Sequence, residues 1–328
     1  MVLQPPRELT PIEGIEVPVI VADAGANARF AYAEFFGDQI ASDYTRRTYR
    51  HAVHRFLAWC EAEGLELARI PPGAVGHYIR NLTTSEGQPA SKPTQKLALS
   101  ALRNFFDAMV QRHAIVLNPA STVRGPRLKG DKGKTPVAET HQATDLLESI
   151  KPRDERDILS LRDIAVLAVL MYTACRVGAV SKLRLRDYHA DERHSYLRLD
   201  EKGGRQREIP CHRRLQPILA AYVSGAKLTD ADAPLFRAAR GRTPQLSERP
   251  FEAKDIHRMV KRRLKAARLP SNLTCHSFRA TSATCLLEQG VPLEEVQELL
   301  GHADPRTTRL YDRRDRTVTR NVVERISI

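Results

Sequence analysis

Near its middle, the sequence contains a stretch that interrupts regular secondary structure. Residues 124–136 read Arg-Gly-Pro-Arg-Leu-Lys-Gly-Asp-Lys-Gly-Lys-Thr-Pro, in which Gly and Pro break helices and strands while Lys and Arg supply nearly all of the charge. The 328-residue chain is long enough to form a domain on either side of this stretch. The predicted divisions are an N-terminal extension at 1–26, a helical domain at 27–125, a basic linker at 126–137, and a second domain at 138–328 with a tail at 312–328.

The charge of the chain indicates a polyanionic partner. It has 52 Lys and Arg against 39 Asp and Glu, a formal net charge of +13. Basic surface neutralises phosphates and releases their counterions, so nucleic acid is the first candidate. A solubilising excess of arginine is the alternative. The basic linker has the same two interpretations, as a segment along a nucleic-acid backbone or as a solvated connector.

Simple features exclude membrane-spanning and disulfide-stabilised proteins. The longest apolar run, Ile164–Tyr172, is far shorter than the roughly 20 residues that a membrane-spanning helix needs. Pro5, Pro6, Arg7 and Glu8 stand where a secretory signal would be apolar. None of the five cysteines forms a Cys-x-x-Cys pair, so we expect no disulfide framework and no metal site. We expect a cytoplasmic protein that associates with the nucleoid when it binds DNA.

Two helices with basic faces are predicted in the N-terminal half. Apolar residues recur at helical spacing between Asp43 and Gly64, and a second helix begins after Ser91. In each, basic residues stack along another face, which either lies against DNA or is an ordinary solvated face. Residues 1–26 show no clear period, so we expect an extended lead-in. The candidate DNA contacts, including those of the linker and of a hairpin described next, are Arg46, Arg50, Lys92, Lys96, Arg103, Arg127, Lys129, Lys132, Lys134, Arg205 and Arg207.

The C-terminal half has a mixed pattern. Residues 140–150 and 160–174 are predicted to be helical, and the second stretch is apolar on nearly all sides, as in a buried core helix. Residues 195–200 and 207–210 flank Glu201-Lys202-Gly203-Gly204, which predicts a β-hairpin with a glycine turn. From Pro250 onward the pattern is again helical. The predicted fold is therefore mainly α with a small β-sheet, and the second domain is of the α+β class.

Three short segments near the C-terminus carry side chains suited to phosphate chemistry. His276 and Arg279 are three residues apart at the start of a predicted helix, so they share a face. Gly301 suits a left-handed helix end and exposes His302. Tyr311 follows a short helix capped by Asp304. Each has an ordinary structural alternative when taken alone, and for Tyr311 this is a core or rim aromatic.

Taken together, these segments have a recognisable order. Thr173-Ala-Cys-Arg176 follows a buried helix, Glu201-Lys202-Gly-Gly lies in a hairpin, His276-Ser-Phe-Arg279 opens a helix, and residues 300–311 read Leu-Gly-His-Ala-Asp-Pro-Arg-Thr-Thr-Arg-Leu-Tyr. This order and spacing resemble the tyrosine recombinases of the phage integrase family, over almost the whole chain. The sequence around Arg176 is most similar to integrases of bacterial mobile elements.

The resemblance implies a fold, an activity and a set of site residues. It implies a helical, SAM-like core-binding domain joined to a catalytic domain. The activity would be site-specific DNA recombination through a covalent 3′-phosphotyrosyl intermediate, without a cofactor. The partners would be double-stranded recombination sites and further copies of the chain in a tetramer, with accessory DNA-binding proteins as additional candidates. The implied catalytic residues are Arg176, Lys202, His276, Arg279, His302 and Tyr311.

Each implied residue has an expected role. Arg176 and Arg279 would stabilise the charge that concentrates on the phosphate oxygens during attack. Tyr311 would be the nucleophile and Lys202 the general acid for the leaving 5′-oxygen. His276 would assist proton transfer from the tyrosine or bond a phosphate oxygen, and His302 would hold the same phosphate.

Two departures from the family pattern lie next to Arg176. Many members have Gly and Glu at the positions of Ala174 and Ala179, so a carboxylate that would support Arg176 is replaced by a methyl group. This puts catalytic strength in question, but not the type of reaction.

Two other functions remain open: a type IB topoisomerase, which relaxes DNA with a similar set of residues, and a non-catalytic DNA-binding protein with the same fold.

Overall fold

The chain folds into two compact units. The computed structural model describes residues 17–127, 135–154, 157–191, 195–200 and 206–312. The units comprise Met1–Lys129 and Gly130–Ile328, so the division falls within the predicted linker at 126–137. Most of that linker and the tail beyond Asp312 lie outside the described residues.

The described part of the N-terminal unit is helical. Its helices are α1 (Val19–Asp23), α2 (Ala26–Glu34), α3 (Asp43–Ala62), α4 (Pro72–Arg80) and α5 (Lys92–Gln111), with a π-helical turn at Phe35–Gln39 and a 3₁₀ turn at Leu67–Arg69. The two predicted helices are confirmed as α3 and α5. Ser42 and Ser91 cap them, because each hydroxyl accepts a hydrogen bond from a backbone N–H of the first turn.

The prediction of an extended lead-in at 1–26 is wrong where α1 lies. Ile20 and Val21 on this helix are buried in the core of the N-terminal unit. The backbone N–H of Ile20 also donates to Glu61 Oε1 at 3.0 Å. A helix of five residues is too short to show a helical period, and tertiary packing stabilises it instead.

Aromatic side chains dominate the core of the N-terminal unit. Phe36 and Phe105, from segments far apart in sequence, stack with ring centroids 6.3 Å apart. Tyr32 packs edge-on against Phe36 at 4.9 Å, and Phe56 packs edge-on against Phe106 at 6.0 Å. Burying each such ring contributes roughly 1.5–3 kcal/mol relative to an exposed one. This cluster holds α2, α3 and α5 together.

The C-terminal unit combines helices with two small antiparallel sheets, which confirms the predicted fold class. Its helices are α6 (Thr140–Glu148), α7 (Ile158–Tyr172), α8 (Val177–Val180), α9 (Leu215–Gly225), α10 (Ala253–Ala266), α11 (Cys275–Glu288), α12 (Leu293–Leu300) and α13 (Pro305–Arg309). Its strands are β1 (Tyr188–Ala190), β2 (Ser195–Asp200), β3 (Gln206–Pro210), β4 (Arg237–Ala239) and β5 (Leu246–Pro250). The sheets have the orders β1-β2-β3 and β4-β5.

The predicted hairpin is confirmed in its two strands. β2 and β3 pair with Leu197 opposite Ile209, and both of these side chains are buried in the core. The alternation of buried and less buried residues along β2 is the period of a strand with one face on a core. The turn at 201–205, which contains Lys202 and Arg205, lies outside the described residues.

The core of the C-terminal unit is organised around α7. As predicted, this helix is buried on nearly all sides, and it packs against α9, α10 and α11. Asp163 on α7 is fully buried, and its carboxylate accepts hydrogen bonds from Arg162, Arg262 and Arg263. A buried carboxylate needs such partners. These contacts tie α10 to the central helix.

Candidate active site

Three segments that are distant in sequence meet around one buried guanidinium. Arg279 lies in the second turn of α11 and is 1% exposed. Its Nη1 donates to the carbonyl oxygen of Ala174, which follows α7, and its Nη2 donates to the carbonyl oxygen of Leu300 at the end of α12. Nη2 also lies 2.8 Å from Nε2 of His302. Arg279 therefore joins the ends of α7 and α12 to α11.

His302 is held in the interior beside Arg279. Gly301 ends α12 in the left-handed conformation, at φ 61°, which glycine adopts without steric cost. The prediction that this turn exposes His302 is wrong, because the chain turns inward and buries the ring, with its Nδ1 2.8 Å from the hydroxyl of Thr308. Gln297 fixes the backbone by donating to the carbonyl oxygen of His302 at 2.9 Å.

The electrostatic surroundings of His302 favour its neutral form. Burial lowers the pKa of His302 to about 4, and the positive charges of Arg279 and Arg176 contribute to the same shift. Removing water penalises the charged ring, and nearby cations repel it. His302 is therefore uncharged at neutral pH.

Tyr311, the predicted nucleophile, lies within hydrogen-bonding distance of a histidine. Its hydroxyl is 3.2 Å from Nε2 of His276. The residue is 6% exposed, and its carbonyl oxygen accepts a hydrogen bond from the Thr284 hydroxyl at 3.1 Å. Its ring lies nearly parallel to that of His302, with centroids 6.0 Å apart. The distance from the hydroxyl to His276 is within the reach of a general base.

His276 is able to take that proton at neutral pH. It lies in the first turn of α11, which begins at a capping box formed by Thr274 and Ser277. Although the residue is exposed, partial burial of its ring lowers the pKa of His276, and the charges of Arg279 and Arg176 add to this effect. Because the neutral imidazole is favoured, the Nε2 lone pair can accept a hydrogen bond from the Tyr311 hydroxyl.

The positive charge of Arg176 contributes to the lowered pKa of both His276 and His302. Arg176 precedes α8 directly and is half-buried. Ala174, two residues earlier, has φ 48°, in the left-handed region that favours glycine. Ala179, at the position where the resemblance implies Glu, is buried at 4% exposure. Of the six implied catalytic residues, His276, Arg279, His302 and Tyr311 are joined by direct contacts. Arg176 is linked to the two histidines through its charge, and Lys202 lies outside the described residues.

The candidate DNA contacts of the N-terminal unit differ in their surroundings. Lys92 and Lys96 on α5, like Arg127, are exposed. Arg46 instead donates to the carbonyl oxygen of Ile40, and Arg103 donates to the carbonyl oxygens of Ala120 and Val123. The guanidinium of Arg50 lies 5.3 Å from the centre of the Phe36 ring.

The expected basic stripe on α5 therefore does not extend to Arg103, because this side chain turns toward the loop that follows the helix. Arg207 on β3 is also engaged within the protein. It donates to the carbonyl oxygens of Glu298 and Leu299 in the last turn of α12. Helical spacing alone does not reveal such contacts. Lys129, Lys132, Lys134 and Arg205 lie outside the described residues, and the role of the whole set in DNA binding stays a prediction.

Three further residues position the site and were missed by sequence reasoning. They are Thr308, which bonds His302, Thr284, which bonds the backbone of Tyr311, and Gln297, which bonds the backbone of His302. For Thr308 a signal was available. It lies three residues before Tyr311 in the segment that carries the family resemblance.

Two kinds of feature are absent from the described ranges. No group of three or more His, Cys, Asp or Glu side chains there is arranged to hold a metal ion. Likewise, no helix among those residues has the length and apolarity needed to span a membrane.

A helical unit followed by an α+β unit, with this grouping of arginines, histidines and a tyrosine, is typical of the tyrosine recombinases. The model of the phage integrase family matches residues 137–317, and that of the phage integrase N-terminal SAM-like domain matches residues 32–113. The chain belongs to the phage integrase family. The resemblance seen in the sequence and the predicted enzyme class, a tyrosine-type site-specific recombinase, are thereby confirmed.

Curated relatives match along most of their length. The tyrosine recombinase XerC of Rhodospirillum centenum is 30% identical over 283 residues, which is 83% of this chain and 77% of that protein. XerC of Pelobacter propionicus is 29% identical, covering 82% and 84% of the two chains. XerD of Chlorobaculum tepidum is 26% identical, covering 86% and 89%.

Solved structures share the fold. A lambda integrase dimer bound to a COC′ core site has a TM-score of 0.62 and 19% identity, with 87% of this chain and 76% of that chain covered. The XerH recombinase in a pre-cleavage complex with its difH substrate has a TM-score of 0.62 and 17% identity, with 89% and 81% covered.

Proposed function

We propose that this chain cuts and rejoins DNA at specific sites by forming a covalent bond between Tyr311 and a 3′-phosphate. The observation that carries the proposal is the 3.2 Å distance between the Tyr311 hydroxyl and His276 Nε2, next to the buried guanidinium of Arg279. A neutral phenol is a weak nucleophile, so it needs a partner that accepts its proton as it attacks. His276 is that partner.

The proposed cleavage step balances without a cofactor. The Tyr311 oxygen attacks the phosphorus, its proton passes to His276 Nε2, and the bond from phosphorus to the 5′-oxygen breaks. The leaving 5′-oxygen takes a proton from Lys202. Arg176 and Arg279 stabilise the charge on the non-bridging oxygens in the transition state. The reverse reaction with the 5′-hydroxyl of a second duplex rejoins the strands.

The proposed working assembly is a tetramer on two recombination sites in double-stranded DNA. A structural neighbour of 18% identity and TM-score 0.61 is described as a lambda integrase tetramer bound to a Holliday junction. Val318, Val322, Val323 and Ile326 fall at helical spacing and form an apolar stripe in the tail at 312–328. We propose that this stripe docks onto a neighbouring subunit, as the family resemblance favours, with docking onto its own domain as the alternative. Accessory DNA-binding proteins are candidate partners. The sequence around Arg176 favours a mobile element as the source of the sites, whereas the curated relatives named above are XerC and XerD recombinases.

Covalent trapping tests the proposal and identifies the target sequence in the same experiment. The protein is incubated with fragmented host DNA, the reaction is stopped with detergent, and the protein-linked fragments are sequenced. Tyr311→Phe should bind DNA with nearly unchanged affinity and give no linked DNA. The matched control is Tyr222→Phe, which removes another buried tyrosine hydroxyl of the same unit and should leave trapping intact. Full trapping by Tyr311→Phe would refute the assignment of the nucleophile.

The recovered site then separates recombination from topoisomerase activity. Supercoiled plasmids with and without that site are incubated with the protein. Recombination requires the site, so products should form only when it is present. Relaxation of both plasmids at equal rates would instead favour a type IB topoisomerase.

A further inference from the structure

A chain of three buried side chains leads from α13 to the predicted phosphate-binding arginine. Thr308 Oγ1 lies 2.8 Å from His302 Nδ1, and His302 Nε2 lies 2.8 Å from Arg279 Nη2. Thr308 is 0% exposed, His302 5% and Arg279 1%. Each of the two contacts has the length of a normal hydrogen bond.

The chemistry of arginine fixes the direction of both hydrogen bonds. A guanidinium has only donors, so Nε2 of His302 accepts. A neutral imidazole carries one proton, which must then be on Nδ1, and Thr308 Oγ1 accepts it. A charged imidazolium would direct an N–H at the Arg279 donor, in keeping with the low pKa of His302.

Thr308 is itself well placed to act as a fixed acceptor. It lies on α13, whose first turn is capped by Asp304, with the carboxylate accepting from the backbone N–H of Arg306 at 2.9 Å. The carbonyl oxygen of Thr308 accepts a hydrogen bond from the N–H of Tyr311 at 2.9 Å. One residue therefore contacts both His302 and the backbone of the predicted nucleophile.

We propose that Thr308 is a positioning residue which holds His302 with its proton on Nδ1, so that Nε2 keeps the guanidinium of Arg279 in place before DNA binds. This proposal rests on the proposed function for its effect on catalysis, but not for its effect on the histidine. Without the Thr308 hydroxyl, the Nδ1–H would be buried with its acceptor removed, which is costly. With that acceptor gone, the lowest-cost arrangement moves the proton to Nε2 and turns the ring away from the Arg279 donor, so His302 would change tautomer and Arg279 would lose a partner.

The first test reads the tautomer of His302 in the protein without DNA. The ¹⁵N chemical shifts of the ring nitrogens distinguish a protonated from an unprotonated nitrogen. We expect the Nδ1-protonated pattern in the wild type and in Thr308→Ser, which keeps the hydroxyl. Thr308→Val, of similar shape, should lose that pattern. The control Thr307→Val changes an exposed threonine of the same helix and should retain it.

The second test measures the rate of single-turnover cleavage by saturating protein, on a DNA site that covalent trapping has identified. Thr308→Val should slow formation of the covalent product about tenfold or more with unchanged DNA affinity, and Thr308→Ser should restore the rate to within about threefold. An Nε2-protonated His302 in the wild type, or an unchanged tautomer in a folded Thr308→Val, would overturn the proposal. Because the NMR test needs no DNA, the absence of any cleavage by the wild type would refute the proposed function and leave this test decisive.

Discussion

The helical side and the hairpin side of the site are built in different ways. On the helical side, formed by α11, α12 and α13, Arg279, His302 and Tyr311 are all buried and bonded to other protein groups. On the hairpin side, β2 and β3 lead to the turn that carries Lys202. The hairpin contacts the helical side through Arg207, which donates to the last turn of α12.

This difference separates two tasks of the proposed reaction. Arg279 and His302, which would hold the phosphate, are preorganised by buried contacts, as electrostatic stabilisation requires, whereas His276, the proposed proton acceptor, is exposed. The proposed proton donor is on a separate element. One substrate distinguishes the two sides: a 5′-bridging phosphorothiolate, whose sulfur leaves without protonation because a thiol is far more acidic than an alcohol. When a substitution on the hairpin side slows cleavage, this substrate should restore the rate. When a substitution on the helical side slows cleavage, it should not.

The largest expected effect is that of Lys202→Ala. Loss of a general acid should slow cleavage by roughly 10²–10⁴-fold on normal DNA, and the phosphorothiolate should restore most of the rate. Arg279→Lys is the matched variant on the helical side. It removes donors that a lysine cannot replace and should be slow on both substrates. The measurement is the ratio of the two single-turnover rates. Failure of the sulfur substrate to rescue Lys202→Ala would show that Lys202 is not the acid.

The next effect concerns acid stability of the helical side. The pKa of His302 is lowered from 6.5 to about 4, mainly by burial. Between these values the unfolded chain binds the proton and the folded chain does not, so the stabilising contribution is complete above pH 6.5 and is lost as pH falls toward 4. The difference corresponds to about 3 kcal/mol. Hydrogen exchange of the α11 and α12 amides should therefore accelerate as pH falls, after correction for intrinsic rates.

The single tryptophan provides an internal control for this measurement. Trp59 lies in the N-terminal unit, so its fluorescence reports on a region without His302. His302→Gln should flatten the pH dependence of exchange in α11 and α12 and leave the pH dependence of Trp59 fluorescence unchanged. If the dependence keeps its full slope in His302→Gln, another group is responsible.

The sequence predicted the elements of the site better than their connections. Helices α3, α5, α7, α11 and α12 and the strands of the hairpin have clear periods or end signals, and family motifs identified Arg279, His302 and Tyr311. The sequence did not predict that Arg103 and Arg207 bond backbone carbonyls, because a basic residue on a polar face looks the same whether it meets solvent, DNA or a helix end. Nor did it predict α1, whose five residues depend on packing against the core.

A smaller effect is expected for Arg207→Ala, which tests the connection between the two sides. If the role of Arg207 is to hold the hairpin against α12 through its hydrogen bonds, its loss should slow cleavage about tenfold because the hairpin is less well positioned. The phosphorothiolate should then rescue the rate. DNA affinity and its salt dependence should remain as in the wild type. If Arg207 instead contacts a phosphate, the affinity should fall and the slope of log K against log salt should become shallower by about 0.9. Arg205→Ala, at another predicted phosphate contact on the same hairpin, provides the comparison.

The smallest effect is expected for Ala174→Gly on the helical side. Ala174 has φ 48° and its carbonyl oxygen bonds Arg279. A side chain in the left-handed region costs roughly 1–2 kcal/mol, which glycine would relieve. The same change removes a buried methyl group, about 0.8 kcal/mol, and gives the unfolded chain more freedom, roughly 0.4–1 kcal/mol. These contributions nearly cancel, so the free energy of unfolding should change by less than about 1 kcal/mol and the cleavage rate should be unchanged.

The control is Ala174→Val, which should lower the free energy of unfolding clearly more, because a β-branched residue is poorly tolerated at positive φ. Urea unfolding of the three proteins checks the order, and equal stability of the valine and glycine variants would show that the backbone relaxes and Ala174 is not strained.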